Sequence, residues 1–158
     1  MRFFLGLCIA TLLVWAVPVM AQNAPSSSDM EILKEKVKAD KKLLVASNMD
    51  LSDAEAMAFW PLYEEYQKDL EQINHRLGTT INTYAEAYEK GPLPNDTAKK
   101  LMNEVLAVEA SEAKLKRTYA DKLIKVLPAS KTARYIQIEN KIRAIIKADL
   151  AQRIPLVY

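Results

Sequence analysis

The sequence predicts an all-helical domain of four helices with a long central antiparallel hairpin. Glycine occurs only three times in 158 residues, and apolar residues recur at spacings of three and four rather than at alternate positions. Spacings of three and four place side chains on one face of a helix, whereas strands need alternation. Helix start signals also precede the periodic stretches, so each helix can be bounded in turn.

The first 21 residues have the composition of a cleaved secretory signal. Arg2 supplies a positive start, residues 3–17 are almost wholly apolar, and Val19-Met20-Ala21 matches the small-residue pattern that precedes a cleavage site. A retained membrane anchor is the alternative, because this apolar segment is nearly long enough to cross a bilayer. Pro18 interrupts the segment and polar residues follow it, which favours cleavage. We therefore expect an exported protein without stable membrane insertion.

Cleavage of this signal defines the composition of the mature chain. It leaves 137 of the 158 residues, which fits one domain of about 100 to 150 residues. We expect residues 22–28 to form a flexible leader and residues 29–158 to form a single helical domain. Cys8 is the only cysteine and lies within the signal, so neither disulfides nor thiol chemistry is expected in the mature protein.

The first helix is predicted to begin at Ser28 or Asp29, either of which is a suitable cap, and to end near Ser47. Its apolar stripe consists of Met30, Leu33, Val37 and Leu44. Asp40 and Lys41 interrupt this stripe, so we expect the first helix to be the least firmly docked of the four.

The second helix carries the strongest periodicity in the chain. It begins at a predicted capping box, in which the Ser52 hydroxyl accepts from the Glu55 amide and the Glu55 carboxylate accepts from the Ser52 amide. Its heptad-like seam consists of Phe59, Tyr63, Tyr66, Leu70, Ile73, Leu77, Ile81, Tyr84 and Tyr88. We expect one helix to about Lys90, bent where Pro61 removes an amide donor.

A short link that contains proline and glycine precedes the third helix. Residues 91–96 end the second helix, and Asn95 or Asp96 is predicted to cap a third helix over residues 97–126. The seam of this helix consists of Leu101, Val105, Val108, Glu112, Leu115, Tyr119, Leu123 and Val126. Because the link is short, the second and third helices are expected to form the antiparallel hairpin.

The fourth helix follows Pro128, which ends the third, and Ser130 is predicted to cap it. Its apolar face consists of Tyr135, Ile138, Ile142, Ile145 and Leu150. Residues 154–158 form an apolar extended tail, which either packs on the helices or contacts a partner. Four helices from so short a chain leave parts of the long seams uncovered, so we expect a homodimer.

Charge is distributed unequally along the mature chain. Residues 22–95 contain 8 basic and 13 acidic residues, whereas residues 96–158 contain 13 basic and 7 acidic residues. The basic excess indicates either a solvated helical surface or a basic binding surface. Nucleic acid is not an expected partner of an exported protein. The candidates for attracting unfolded, partly acidic chains are Lys114, Arg117, Lys122, Lys125, Arg134, Lys141, Arg143 and Lys147.

Two other side chains differ from their surroundings in the helical pattern. Trp60 lies beside the seam of the second helix, and it either packs against the first or fourth helix or gives a client an apolar contact. Glu112 lies within the seam of the third helix. A partner across the hairpin, Asn74 or Arg76, is the expected way to satisfy its carboxylate, and a functional acid is the alternative.

The sequence contains no recognisable catalytic or cofactor-binding pattern. No serine has a nearby base, no glycine-rich phosphate loop is present, and no acidic pair has an evidently apolar setting. We therefore expect no enzyme, no metal site and no cofactor. His75 is the only histidine, and a zinc site needs several converging ligands. Haem ligation by His75 and a methionine is an alternative, but helical phase places His75 opposite the seam.

Two turns resemble the repeated motif of a known family. Leu51-Ser52-Asp53-Ala54-Glu55, followed by Phe59, is similar to the Leu-Thr-x-x-Gln motif of the Spy/CpxP family of periplasmic proteins. Leu127-Pro128-Ala129-Ser130-Lys131, followed by Ala133-Arg134-Tyr135, is similar to the second copy of that motif. In this chain Ser52 replaces threonine, and Glu55 and Lys131 replace glutamine.

The resemblance implies a cradle-shaped antiparallel dimer of four-helix chains, whose basic and apolar concave face binds unfolded proteins without ATP. Some members of the family sense envelope stress or bind metals, and the scarcity of histidine argues against metal here. Our hypothesis is a periplasmic chaperone-like or stress-response protein that binds unfolded or envelope proteins. The alternatives are a regulatory adaptor that caps a membrane sensor and a metal-binding or haem-binding helical bundle.

Overall fold

The computed structural model describes the backbone of residues 27–157 and the side chains of residues 36–157. Four helices make up this part of the chain: α1 (Ser27–Met49), α2 (Asp53–Tyr88), α3 (Asn95–Leu123) and α4 (Ala129–Arg153). The described residues contain no strand, so the predicted all-helical class is confirmed. The predicted signal, residues 1–21, lies outside the described residues. So does most of the predicted leader, residues 22–28.

The chain divides into two units, residues 1–38 and residues 39–158. Of the first unit, the structure describes the beginning of α1 as a helix from Ser27, so Ser28 and Asp29 lie inside the helix and not before it. The second unit contains the end of α1 together with α2, α3 and α4. The core and the charged side chains described below belong to this second unit.

The predicted capping box at the start of α2 is present. Ser52 has the extended backbone of a cap residue, and its Oγ accepts a hydrogen bond from the Glu55 amide at 3.4 Å. The Glu55 carboxylate accepts one from the Ser52 amide at 2.8 Å. Two amide groups that would otherwise lack partners at the helix start are therefore satisfied by side chains of the same turn.

The predicted caps of α3 and α4 are wrong. Pro94 and Pro128 are the cap residues, and neither helix start has a side-chain cap hydrogen bond. Each proline already holds the non-helical backbone that a cap needs, with ψ values of 141° and 143°. Asn95, Asp96 and Ser130 consequently lie within the first turns of the helices, where their side chains are not placed as caps.

A tyrosine-rich cluster forms the core of the second unit. Its buried members are Val45, Met49, Phe59, Tyr63, Tyr66, Leu70, Tyr119, Leu123, Leu127 and Tyr135. The fully buried Tyr135 ring of α4 lies edge-on to Phe59, at 5.2 Å between centroids, and to Tyr66, at 5.9 Å. The Tyr66 ring also contacts Tyr119 of α3 at 5.4 Å. Such edge contacts contribute about 0.5 to 1.5 kcal/mol each beyond burial, so the rings hold α2, α3 and α4 together.

The predicted seams are buried near this cluster and become exposed away from it. In α2 the seam is buried from Phe59 to Ile73 and only half-buried from Leu77 to Tyr88. In α3, Val105 is 37% exposed, and Val126, just beyond the helix, is 40% exposed. Ile145 of α4 is 72% exposed. Helical phase therefore predicted the faces correctly near the core, but it overestimated the length over which they are covered.

The predicted apolar stripe of α1 is wrong. Val37 and Leu44 are exposed, whereas Val45 and Met49 are fully buried in the core. Lys41, which interrupts the predicted stripe, points inward with them because positions 41, 45 and 49 repeat every four residues and share one face. Met30 and Leu33 of the predicted stripe lie outside the residues whose side chains are described.

Polar side chains connect α2 to α3 along their length. Asp69 accepts a hydrogen bond from the Tyr119 hydroxyl at 2.8 Å, and Glu65 pairs with Lys122 at 3.2 Å. Further along α2, Arg76 pairs with Glu104 at 2.8 Å. Later residues of α2 thus contact earlier residues of α3. Gly91 provides the left-handed backbone, with φ of 115°, that the link between the helices requires.

We predict that Ser52→Ala lowers the free energy of unfolding by about 1 kcal/mol, because it removes the hydroxyl that caps α2. Urea denaturation followed by circular dichroism measures this change. Ser130→Ala is the matched control, since Ser130 does not cap α4, and its effect should be much smaller. An equal loss in the two variants would contradict the assignment of Ser52 as the only serine of the two that caps a helix.

Candidate functional site

A buried polar network joins α1, α2 and α4 beside the core. The Lys41 ammonium donates to Glu139 Oε2 and to Gln67 Oε1, both at 2.8 Å. The Gln67 amide donates to the second oxygen of Glu139 at 2.9 Å and to the Tyr135 hydroxyl at 3.3 Å. Glu139 is only 3% exposed, and its charge is therefore balanced within the protein by Lys41.

The network is not among the sequence predictions. The only sign of this network in the sequence is Lys41, which lies where the apolar face of α1 was expected to continue. Burial raises the pKa of the Tyr135 hydroxyl, and the neighbouring Glu139 charge raises it further. Tyr135 therefore remains protonated at every ordinary pH and acts as a neutral polar group in the core.

A second buried pair satisfies Glu112. Its carboxylate accepts a hydrogen bond from Arg143 Nε at 2.8 Å and lies 2.6 Å from Nη2 of the same guanidinium. Lys116 approaches the other carboxylate oxygen at 3.5 Å. Arg143 also donates to the Asn74 side chain at 2.8 Å. The carboxylate is thus satisfied structurally, as expected, but its main partner comes from α4 and Asn74 is reached only through Arg143.

Arg76, the other expected partner of Glu112, is used elsewhere. It donates to Glu104 at 2.8 Å and to the Ser111 hydroxyl at 3.4 Å. Burial of Glu112 raises its pKa, but hydrogen bonding by Arg143 and the positive charges around it outweigh burial. The net effect is a pKa for Glu112 below its ordinary value.

The two turns that carry the family resemblance are joined by a charge pair. The Lys131 ammonium of the second turn pairs with Glu55 of the first turn at 2.6 Å. It also donates to the Asp50 carbonyl, at the end of α1, at 2.7 Å. Hydrogen bonding by Lys131 and by the Ser52 amide lowers the pKa of Glu55. Leu51, Leu127 and Pro128 of these turns flank the contact, with Leu127 buried in the core and Leu51 packed against it.

Five of the eight predicted basic candidates have partners within the domain. The Arg143 side chain is only 12% exposed and is occupied by Glu112, so it is not free for a client. Lys122 pairs with Glu65, and Lys147 pairs with Glu109 at 3.4 Å. The remaining two make exposed contacts, Arg117 with Asp121 at 3.1 Å and Arg134 with the Asn48 carbonyl at 3.4 Å.

The other three predicted bases, Lys114, Lys125 and Lys141, are exposed. The side chain of none of them has a hydrogen bond or ion pair to any residue in the range 36–157. Five of the eight candidates fall on two surfaces. The α3 surface consists of the outward-facing bases Lys99, Lys100, Lys114, Arg117 and Lys125, of which Lys99 and Lys100 were not predicted. The α4 surface consists of Arg134, Lys141 and Ile145.

Trp60 packs within the domain rather than standing free. Its ring lies edge-on to Phe59 at 5.0 Å and to Tyr63 at 5.3 Å. The Lys42 ammonium of α1 lies 5.2 Å from the centre of the same ring. Trp60 is half-buried, so only part of the indole is accessible to a client.

The tail after α4 is fixed at one point and exposed beyond it. The Tyr84 hydroxyl of α2 donates to the Pro155 carbonyl at 2.9 Å. Leu156 is 88% exposed and Val157 is 59% exposed. Leu156 and Val157 are therefore largely uncovered by the helices that the structure describes, whereas Ile154 is half-buried.

Among the described residues, no three His, Cys, Asp or Glu side chains converge on a possible metal position. His75 is exposed and lines only an open depression on α2 with Lys68, Glu71 and Gln72. None of the helices combines the length and the apolar composition needed to cross a bilayer, as far as the described residues show.

Comparison with protein-family models, with curated proteins and with solved structures gives no match to this chain. The resemblance to the Spy/CpxP family therefore rests on the two turns and on the order of the helices.

We predict that Lys41→Met lowers the free energy of unfolding by about 3 kcal/mol, because it leaves the Glu139 carboxylate buried without a cation. The neighbouring Lys42→Met is the matched control. Lys42 pairs with Glu64 at 2.6 Å, but both side chains are at least half exposed, so its loss should cost less than about 1 kcal/mol. Urea denaturation measures the free energy of unfolding of both variants. Equal losses would show that the buried pair contributes no more to stability than the exposed pair does.

Stability should fall in acid partly because of Glu112. Its folded-state pKa lies below the ordinary value of 4.5, so its contribution is present above that pH and is lost as the pH falls below it. Glu112→Gln should therefore reduce stability at pH 7 and flatten the loss of stability between about pH 5 and 3. Glu86→Gln, at an exposed position of α2, is the control. Denaturation at several pH values tests this, and an unchanged pH profile for Glu112→Gln would contradict it.

Proposed function

We propose that this chain is an exported, ATP-independent, chaperone-like or stress-response protein that binds unfolded or envelope proteins in the periplasm. The observation that carries the proposal is the α4 surface, where exposed bases and an exposed apolar side chain lie together. Cleavage of residues 1–21 would deliver the protein to that compartment, and the two family-like turns support the assignment.

The α4 surface has the chemistry that an unfolded, partly acidic chain requires. Arg134, Lys141 and Ile145 are separated by seven and four residues, and these steps return to one face of a helix. Lys141 has no partner among the described residues, and Ile145 is 72% exposed. An exposed isoleucine costs free energy in water, so contact with apolar segments of a client is favourable. The bases attract acidic segments over a longer range.

Pairing of the helices supports a long antiparallel hairpin of α2 and α3 as the frame of the proposed binding protein. Asp69 precedes Arg76 in α2. Their partners come in the reverse order in α3, where Tyr119, which contacts Asp69, follows Glu104, which contacts Arg76. α2 has 36 residues and α3 has 29, so both helices extend beyond the tyrosine-rich core.

We further propose that two copies of the chain associate as a cradle-like antiparallel homodimer. Met102 and Leu106 of α3 are 56% and 55% exposed, and they lie four residues apart on one helix face. A second copy would cover this apolar face and the exposed ends of the seams. The regulatory adaptor that caps a membrane sensor is the alternative use of the same surfaces.

We predict that the purified protein suppresses aggregation of an unfolding client, measured by light scattering, and does so less effectively at high salt. Arg134→Glu together with Lys141→Glu should reduce the suppression several-fold, because the variant repels acidic segments. Lys68→Glu together with Lys90→Glu makes the same change in net charge away from the α4 surface and is the control. If loss of the Arg134 contact with the Asn48 carbonyl loosens α1, the single variant Lys141→Glu, which keeps that contact, replaces the double variant in this test.

No suppression at a several-fold molar excess of the protein would contradict the proposal, as would equal losses in the two double variants. Binding of one folded envelope protein without any effect on unfolded clients would identify the adaptor instead.

A further inference from the structure

The α3 surface is a basic surface of a different kind from the α4 surface. All five of its bases are exposed, and four of them lie on α3 itself. Steps of 14 and 18 residues connect Lys100 to Lys114 and Lys99 to Arg117, and both steps return to nearly the same side of a helix, while Lys125 follows two residues after the end of α3. At a rise of about 1.5 Å per residue, the four bases on α3 span roughly 27 Å.

Most of the charge on the α3 surface is uncompensated. Arg117 pairs with Asp121, but the ammonium groups of the four lysines have no hydrogen bond or ion pair with any residue whose side chain the structure describes. Asp121 and Asp96 are the acids on the same side of the helix, so bases exceed acids by five to two. By contrast, Lys122 and Arg143, which face neighbouring helices, are paired with acids.

The α3 surface itself consists of bases with small or polar side chains between them, and its exposed apolar neighbours Met102 and Leu106 belong to the face that we propose a second copy covers. The same side of α3 carries small or polar side chains between the lysines, namely Asn103, Ala107, Ala110 and Thr118. Leu106 and Ile124, each 55% exposed, border the surface 18 residues apart and are too distant to form one pocket. Specific protein interfaces depend on clustered, buried apolar or aromatic anchors, which the side chains between these lysines do not provide.

We propose that the α3 surface binds the face of a bilayer that contains anionic phospholipid head groups. A plane of phosphates needs many accessible cations and no pocket, and lysine stems allow the ammonium groups to reach it. Each lysine near such a surface contributes a favourable and roughly additive interaction. The bases of the α3 surface are exposed, charged side chains, so this contact lies on the membrane surface.

Sedimentation with lipid vesicles tests the proposal on the protein in the form in which the cell accumulates it. Vesicles of phosphatidylglycerol and phosphatidylcholine should bind at least about tenfold more protein at low salt than vesicles of phosphatidylcholine alone. The neutral vesicles measure any binding through an apolar N-terminal segment. High salt should release the protein from the anionic vesicles, because it screens exposed charges.

Charge-reversal variants locate the contact. Lys100→Glu together with Lys114→Glu should reduce binding to the anionic vesicles by about tenfold or more, because four units of charge change on one surface. Lys68→Glu together with Lys90→Glu changes net charge equally but lies outside α3, and this control should bind nearly as the unchanged protein does. Circular dichroism confirms that both variants remain helical.

Three results would overturn the proposal. They are equal binding to neutral and anionic vesicles, equal losses in the two double variants, and binding of polyglutamate through the α3 surface when anionic vesicles do not bind. The last result would make the α3 surface a site for acidic protein segments. Because suppression of client aggregation depends on the α4 surface, its measurement on the same variants separates failure of this proposal from failure of the proposed function.

Discussion

Two buried carboxylates constrain how the helices of this protein fit together. A carboxylate that is buried without a cation destabilises a fold by several kcal/mol, so Glu112 and Glu139 must each meet a base. Arg143 of α4 meets Glu112 of α3, and Lys41 of α1 meets Glu139 of α4. Sliding a helix by one turn of about 5.4 Å would break such a pair, whereas an apolar contact would merely exchange partners. The charge pairs therefore fix the register that the tyrosine-rich core alone leaves open.

The same constraint explains which bases remain on the surface. Arg143 and Lys41 are used inside the domain, and Lys122 and Lys147 pair with acids across the helix boundaries. The excess of bases in the second half of the chain is consequently concentrated on the sides of α3 and α4 that face away from these pairs. These outward sides differ in composition, since the α4 surface includes the exposed side chain of Ile145, whereas small or polar side chains separate the bases of the α3 surface and Leu106 lies at its border. We accordingly propose that unfolded clients bind the α4 surface and that an anionic bilayer binds the α3 surface.

Local features of the sequence were sufficient to predict the four helices and the start of α2. Periodicity and the capping box of Ser52 and Glu55 depend on residues within a few positions of one another. The cations opposite Glu112 and Glu139 depend instead on how distant helices pack, so spacing alone directed Glu112 to Asn74 or Arg76. For the same reason, the sequence pattern placed Leu44 in the apolar stripe of α1 and treated Lys41 as a break in that stripe. The buried acid that turns Lys41 inward lies 98 residues away.

Site-specific crosslinking to an unfolding client tests whether clients bind the α4 surface, because it locates the contact on the molecule. A photoactivatable probe is attached to a cysteine introduced at Ala148, beside the α4 surface, or at Gln72, on the exposed side of α2. Client binding at the α4 surface predicts strong crosslinks from position 148, reduced at high salt, and few from position 72. Equal crosslinking from the two positions, or none from position 148, would contradict the assignment of client binding to the α4 surface.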